Sequence, residues 1–98
     1  MYNGALANEI GKSKFVSTRR VHDCMEENAE FHKEIKACID KYFMGDWGNL
    51  CKSDQAMNDN AVGKKDRVFA KYETCEGDIY IITEQNRSTT TVLFTDEY

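Results

Sequence analysis

The chain has 98 residues, of which 41% are hydrophobic and 31% charged, and its formal net charge is −4. This composition is that of one globular domain and excludes an intrinsically disordered chain. The apolar stretches are too short to span a membrane, and residues 1–10 lack the apolar core of a signal peptide. We therefore expect a cytoplasmic protein without membrane contact.

The acidic charge balance favours some partners over others. Binding to nucleic acid requires clustered Lys and Arg that neutralise phosphates. Two basic doublets are present, Arg19-Arg20 and Lys64-Lys65, but each has acidic residues close by. We therefore expect no direct contact with nucleic acid and predict a protein partner with a basic surface.

The four cysteines predict neither a metal site nor a cofactor. Cys24, Cys38, Cys51 and Cys75 lie 13 to 24 positions apart, whereas zinc ligands come in closely spaced pairs. Two disulfides are the alternative, but the expected reducing compartment favours free thiols. We therefore predict structural thiols and no bound metal or cofactor.

The N-terminal part of the chain is predicted to contain a tail and one strand. Residues 1–13 show no sustained hydrophobic period, so we expect a flexible tail, followed by one domain at 14–98. The segment 14–18 has the composition of a short strand that can join a sheet. Ser17 or Thr18 can then cap the helix that follows.

Three helices are predicted in the middle of the chain. The first has a short apolar face, and Asn28 is expected to end it in the left-handed conformation. The second, at 30–44, carries a continuous apolar stripe and is the most regular of the three. Ser53 is expected to cap a third, short polar helix at 54–61.

The last third of the chain predicts an antiparallel sheet. Three runs rich in β-branched and aromatic residues, 67–73, 78–84 and 89–94, are separated by four residues each. Connections this short join only antiparallel neighbours, because a parallel crossover needs about a dozen residues or more. The middle run is apolar on both faces, so we expect it to be the central strand.

Together these elements predict an α+β domain. A short N-terminal strand and two to three helices should pack on one face of a three- to four-stranded antiparallel sheet. The opposite face keeps apolar side chains, so part of it should need a cover or a partner. These side chains are Phe69, Tyr80, Ile82 and Leu93. An edge strand and a half-apolar face are also compatible with a homodimer.

The sequence contains none of the catalytic motifs that can be recognised from spacing. It has no Gly-rich phosphate loop, no H-E-x-x-H, no G-x-S-x-G and no complete calcium loop. We therefore predict that the protein is not an enzyme and acts by binding.

Three features have both a structural and a functional interpretation. Trp47 either fills the edge of the core, with its indole N–H bonded to a carbonyl, or anchors a partner. Glu84 and Arg87 flank the last turn, where they either form an ion pair or contact a ligand or partner. Acids gather where the first two helices meet and form either a solvated face or a surface that occupies a basic groove. They are Glu26, Glu27, Glu30 and Glu34.

Four segments together resemble a family of small proteins known as "plasmid-related protein", whose members are sometimes mislabelled as a type I restriction subunit. The segments are GDWG at 45–48, NDN at 58–60, the run 81–94 and the final EY at 97–98. The similarity covers about 15–98. Members are carried on plasmids, phages and integrated elements, and the resemblance implies no established activity.

The resemblance does imply that the gene is carried on mobile genetic elements, whose short acidic proteins often inhibit host defence. It leads to the hypothesis of a non-enzymatic inhibitor of a bacterial defence nuclease, foremost an anti-CRISPR protein that binds a CRISPR–Cas effector and blocks nucleic-acid loading or cleavage. The alternatives are a plasmid maintenance or conjugation accessory protein, or a small-ligand-binding enzyme that uses the last hairpin turn. The residues implied to bind the partner are Asp46, Trp47, Asn60, Glu84, Arg87 and Tyr98.

Overall fold

The structure is a computed structural model that describes residues 13–61 and 66–98. Its elements in chain order are β1 (Lys14–Ser17), α1 (Arg19–Glu27), α2 (Ala29–Phe43), α3 (Lys52–Ala61), β2 (Val68–Tyr72), β3 (Ile79–Thr83), β4 (Thr89–Phe94) and a 3₁₀ turn (Thr95–Glu97). The predicted α+β class is confirmed, with three helices and four strands in these residues. The predicted tail lies outside the described residues except for Ser13.

The four strands form one mixed sheet in the order β1-β4-β3-β2. The strands β2, β3 and β4 form the predicted antiparallel meander, and β3 is interior as expected. The prediction of a wholly antiparallel sheet is wrong for β1, which pairs parallel with β4, Lys14 lying opposite Thr89. Three helices and two strands separate β1 from β4, and a connection of that length permits a parallel pair.

A single residue joins α1 to α2 and serves both helices. The backbone N–H of Asn28 donates to the carbonyl of Cys24 at the end of α1, and its side chain accepts from the N–H groups of Glu30 and Phe31. The predicted left-handed conformation of Asn28 is wrong, since its φ is −132° and its ψ is 104°. A residue that caps the N-terminus of the next helix requires this extended backbone.

The helices cover one face of the sheet and form the core with it. Phe31 of α2 stacks on Phe94 of β4 with ring centroids 5.7 Å apart. The hydroxyl of Tyr42 reaches the sheet interior, where it lies 2.8 Å from the Thr83 hydroxyl and donates to the Val68 carbonyl. No helix in the described ranges is long and apolar enough to cross a membrane.

The outer edge of β2 is closed by hydrogen bonds from α3 and the loop before it. Asn58, 2% exposed, uses its side-chain amide to donate to the carbonyl of Phe69 and to accept from the N–H of Phe69. Two residues further along β2, the backbone N–H of Lys71 donates to the carbonyl of Trp47, and the carbonyl of Lys71 accepts from the N–H of Asn49. These bonds satisfy the backbone groups that would otherwise face outward from β2.

Replacing Asn58 with Ala should destabilise the protein by about 2–4 kcal/mol, because it leaves two partly buried backbone groups of β2 without partners. The control is Asn60→Ala, since Asn60 is exposed on the same helix and gains the same helix propensity. Urea unfolding followed by circular dichroism measures both variants. Equal stability of the two would show that Asn58 does not close the edge.

Candidate functional site

Trp47 lies in the core, in agreement with its structural interpretation. The side chain is 2% exposed and packs edge-on against Tyr42, with ring centroids 5.5 Å apart. Its indole N–H donates to a carboxylate oxygen of Asp59 at 2.9 Å, so the acceptor is an acid on α3 rather than the carbonyl expected. The indole therefore attaches the loop that precedes α3 to α3 through this hydrogen bond.

Arg87 is also buried, with 8% of its surface exposed and a left-handed φ of 59°. Its guanidinium donates to the backbone carbonyls of Ala61, Asp66 and Glu84. The side chain thus joins the end of α3 and the start of β2 to the turn between β3 and β4. It reaches Glu84 through the backbone carbonyl.

The other residues implied as partner contacts are dispersed. Asp46 accepts the backbone N–H of Gly48 at 3.0 Å with its side chain, and its carbonyl accepts the hydroxyl of Tyr72. Asn60 and Glu84 are exposed, and Tyr98 lines a recess with Phe69 and Tyr80.

The hollow at the last hairpin turn differs from the ligand site considered from the sequence. It is open and lined by Glu84, Gln85, Asn86 and Ser88. The Arg87 side chain instead points to interior carbonyls. Among the described residues, the hollow that Glu84 lines therefore does not include Arg87.

A groove rich in carboxylates lies between α1, the β2–β3 turn and the C-terminal turn, and has a volume of about 640 Å³. We call it the acidic groove. Four carboxylates and two arginines line it, together with a thiol and one aromatic ring. These residues are Arg19, Arg20, Asp23, Cys24, Glu27, Glu76, Phe94 and Glu97.

The arginines of the acidic groove are already paired. Arg20 donates to Asp96 at 2.7 Å, its guanidinium lies 4.5 Å from the centre of the Phe94 ring, and the bond to Asp96 raises the pKa of Arg20. Arg19 lies 3.7 Å from Asp23. The field that the groove presents to solvent is therefore set largely by its remaining carboxylates.

Neutral donors position two of those remaining carboxylates. Glu97 accepts from the hydroxyl of Thr18 and from the backbone N–H of Phe94, both at 2.9 Å. Glu76 accepts from the side-chain amide of Asn28 at 2.6 Å. Bonds to neutral groups orient these acids and leave their negative charge in place.

The thiols near the groove are held in their protonated form. Burial, followed by the charge of Glu76, raises the pKa of Cys24, while a hydrogen bond to the Glu34 carboxylate raises that of Cys75 to about 11. Both are therefore weak nucleophiles at neutral pH. All four cysteines are free, and no group of three or more potential metal ligands occurs within 13–61 and 66–98.

A second recess lies on the sheet face opposite the described helices, and this face keeps apolar side chains as predicted. It has a volume of about 210 Å³, and we call it the aromatic cup. The Tyr80 ring lies edge-on to Phe69 and to Tyr98, with centroids 6.2 and 5.7 Å away. The residues of the cup are Arg67, Phe69, Tyr80, Ile82 and Tyr98.

The acidic cluster expected from the sequence contributes only one residue, Glu27, to the acidic groove. Glu26 instead contacts His22 on the same helix at 3.0 Å, and Glu34 accepts the backbone N–H of Cys75. Glu76 and Glu97 come from distant parts of the chain. No local pattern marks them, because tertiary packing alone places them beside α1.

No protein-family model, curated protein or solved structure matches this chain. The resemblance to the plasmid-related proteins therefore remains an expectation from the sequence segments that carry it.

Replacing Arg87 with Ala should cost about 2–4 kcal/mol of stability, because the buried carbonyls that it contacts lose their charged donor. Gln85→Ala is the control, since Gln85 is exposed in the same turn. Thermal unfolding compares the two variants. If Arg87→Ala unfolds at the same temperature as the wild type, the buried guanidinium does not stabilise the fold.

Replacing Glu34 with Gln should return the pKa of Cys75 from about 11 towards its ordinary value, since the carboxylate favours the protonated thiol. More thiolate is then present at mildly alkaline pH, and alkylation should accelerate by on the order of tenfold or more. Mass spectrometry of iodoacetamide-treated protein measures the rate, with the exposed Cys51 as internal control. If the ratio of the Cys75 to the Cys51 alkylation rate is the same in Glu34→Gln and in the wild type, Glu34 does not control the pKa of Cys75.

Proposed function

We propose that this protein is a small non-enzymatic inhibitor that binds a bacterial defence nuclease, foremost a CRISPR–Cas effector, in the cytoplasm. The acidic groove is the observation that carries the proposal, because it concentrates carboxylates from three separate parts of the chain on one surface. The resemblance to proteins of mobile elements supports the choice of a defence enzyme as the target.

The mechanism follows from electrostatics. Nucleases hold their substrates with Lys and Arg that neutralise phosphates, so their substrate channels are basic. A rigid acidic surface is attracted to such a channel, and charge complementarity also speeds association. Occupying the channel blocks loading or cleavage of nucleic acid without any reaction at the inhibitor.

The six residues implied by the resemblance take different parts in this proposal. Trp47 and Arg87 support the fold from within. The other four, which have exposed side chains that a partner can reach, are Asp46, Asn60, Glu84 and Tyr98. A homodimer would use the edge of β1, since the outer edge of β2 is closed.

Reversing the charge of the groove tests the proposal. The double variant Glu27→Lys/Glu76→Lys should weaken inhibition and binding by about tenfold or more, because like charges then face the basic channel. The control Asp40→Lys/Asp66→Lys changes the net charge equally at exposed positions that do not line the groove. Binding and cleavage assays with a panel of purified CRISPR–Cas effectors measure both.

Two results would contradict the proposal. One is that the wild-type protein neither binds nor protects any effector in the panel. The other is that both double variants lose inhibition to the same extent, since net charge alone would then explain the effect.

A further inference from the structure

We infer that the aromatic cup is an anchor site for one large uncharged side chain of the protein whose basic residues contact the acidic groove. The inference rests on the proposed function, because it takes from it a partner with a basic surface. It adds an apolar contact to the electrostatic one and specifies that the partner carries its uncharged anchor residue next to its basic residues.

The cup and the groove lie on either side of one fixed turn. Glu97 lines the groove and Tyr98, the next residue, lines the cup. The turn is held at both ends, since Thr95 donates to the carbonyl of Asp78 and Glu97 accepts from Thr18. A partner surface that covers the turn therefore meets both recesses at once.

The cup fits a large apolar or aromatic side chain. Its volume of about 210 Å³ suits one such group, and its walls are the half-buried rings of Phe69 and Tyr80 above the buried Ile82. Tyr98 forms the rim and is 69% exposed, so it can close over an inserted side chain. Recessed aromatic positions of this kind supply most of the binding free energy in protein interfaces.

Arg67 determines the charge of the occupant. Its guanidinium lies 5.2 Å from the centre of the Tyr98 ring, where it would repel a lysine or arginine entering the cup. The partner's cations are instead attracted to the acidic groove on the other side of the turn. The arrangement therefore selects an uncharged anchor flanked by basic residues.

Single-stranded nucleic acid is the other occupant that aromatic rings and an arginine could accept. Glu97 of the acidic groove directly precedes Tyr98 of the cup, and the chain has a net charge of −4. Both repel the phosphate backbone. The observations thus favour a protein partner.

Two peptides test the inference without knowledge of the natural partner. Both are ten-residue peptides rich in Lys and Arg, one with a central Trp and the other with Ala in its place. Isothermal titration should show the Trp peptide binding the wild type about tenfold more tightly than the Ala peptide. In the variant Tyr98→Ala the two affinities should become equal.

The control variants separate the two recesses. Glu27→Gln/Glu76→Gln should weaken both peptides by the same factor and leave their ratio unchanged, because it alters the groove alone. Met44→Ala, which removes an exposed apolar side chain elsewhere, should change neither affinity. Tyr98 is exposed, so Tyr98→Ala should fold as the wild type does, which circular dichroism verifies.

Several outcomes would overturn the inference. They are the absence of binding by either peptide, equal affinity of the two peptides for the wild type, or a difference that survives Tyr98→Ala. Tighter binding of a single-stranded oligothymidylate that Tyr98→Ala abolishes would assign the cup to nucleic acid instead.

The inference and the proposed function can fail separately. If a nuclease is inhibited equally by the wild type and by Tyr98→Ala, the inferred anchor site is wrong and the proposed inhibitor function is retained. If no nuclease is bound but the Trp peptide behaves as expected, the anchor stands and the choice of a nuclease as target is wrong.

Discussion

Within residues 13–61 and 66–98 the helices cover one face of the four-stranded sheet, and this constraint determines how the remaining elements are placed. The strands β3 and β4 carry apolar residues on the other face as well, where Ile82 and Leu93 are 4% and 8% exposed. Tyr98 lies across this face against Tyr80, so the chain following β4 must cross the end of the sheet. The turn that makes this crossing brings Glu97 beside α1 and thereby completes the acidic groove.

A second constraint is the outer edge of β2, which would otherwise expose unpaired backbone groups. The loop containing Trp47 and the amide of Asn58 close it, and Arg87 holds the adjoining turn to the end of α3. The residues with the most distinctive local sequence are therefore used to build the scaffold. The two recesses to which we assign the proposed partner lie elsewhere, on α1 and on the sheet face opposite the described helices.

The parts of the fold that depend on local patterns were predictable from the sequence. The alternation of apolar and polar residues predicted the strands and the second apolar face of the sheet. The helical period of the apolar residues in α2 predicted the long helix. The parallel pairing of β1 was missed because it joins segments about 75 positions apart, and no local pattern specifies such a pair. The acidic groove was missed for the same reason, since Glu76 and Glu97 reach α1 only through tertiary packing.

In the proposed complex, the groove and the cup contribute differently to binding because their forces act over different distances. Exposed carboxylates act through a field that extends for about a Debye length and weakens with salt, so they govern encounter and orientation. An apolar side chain in the cup interacts only on contact and must be withdrawn before the partner can leave, so it governs dissociation. In the proposed mode of binding, this small protein with a net charge of −4 reaches its partner quickly through the groove and remains bound through Tyr98 and its neighbours.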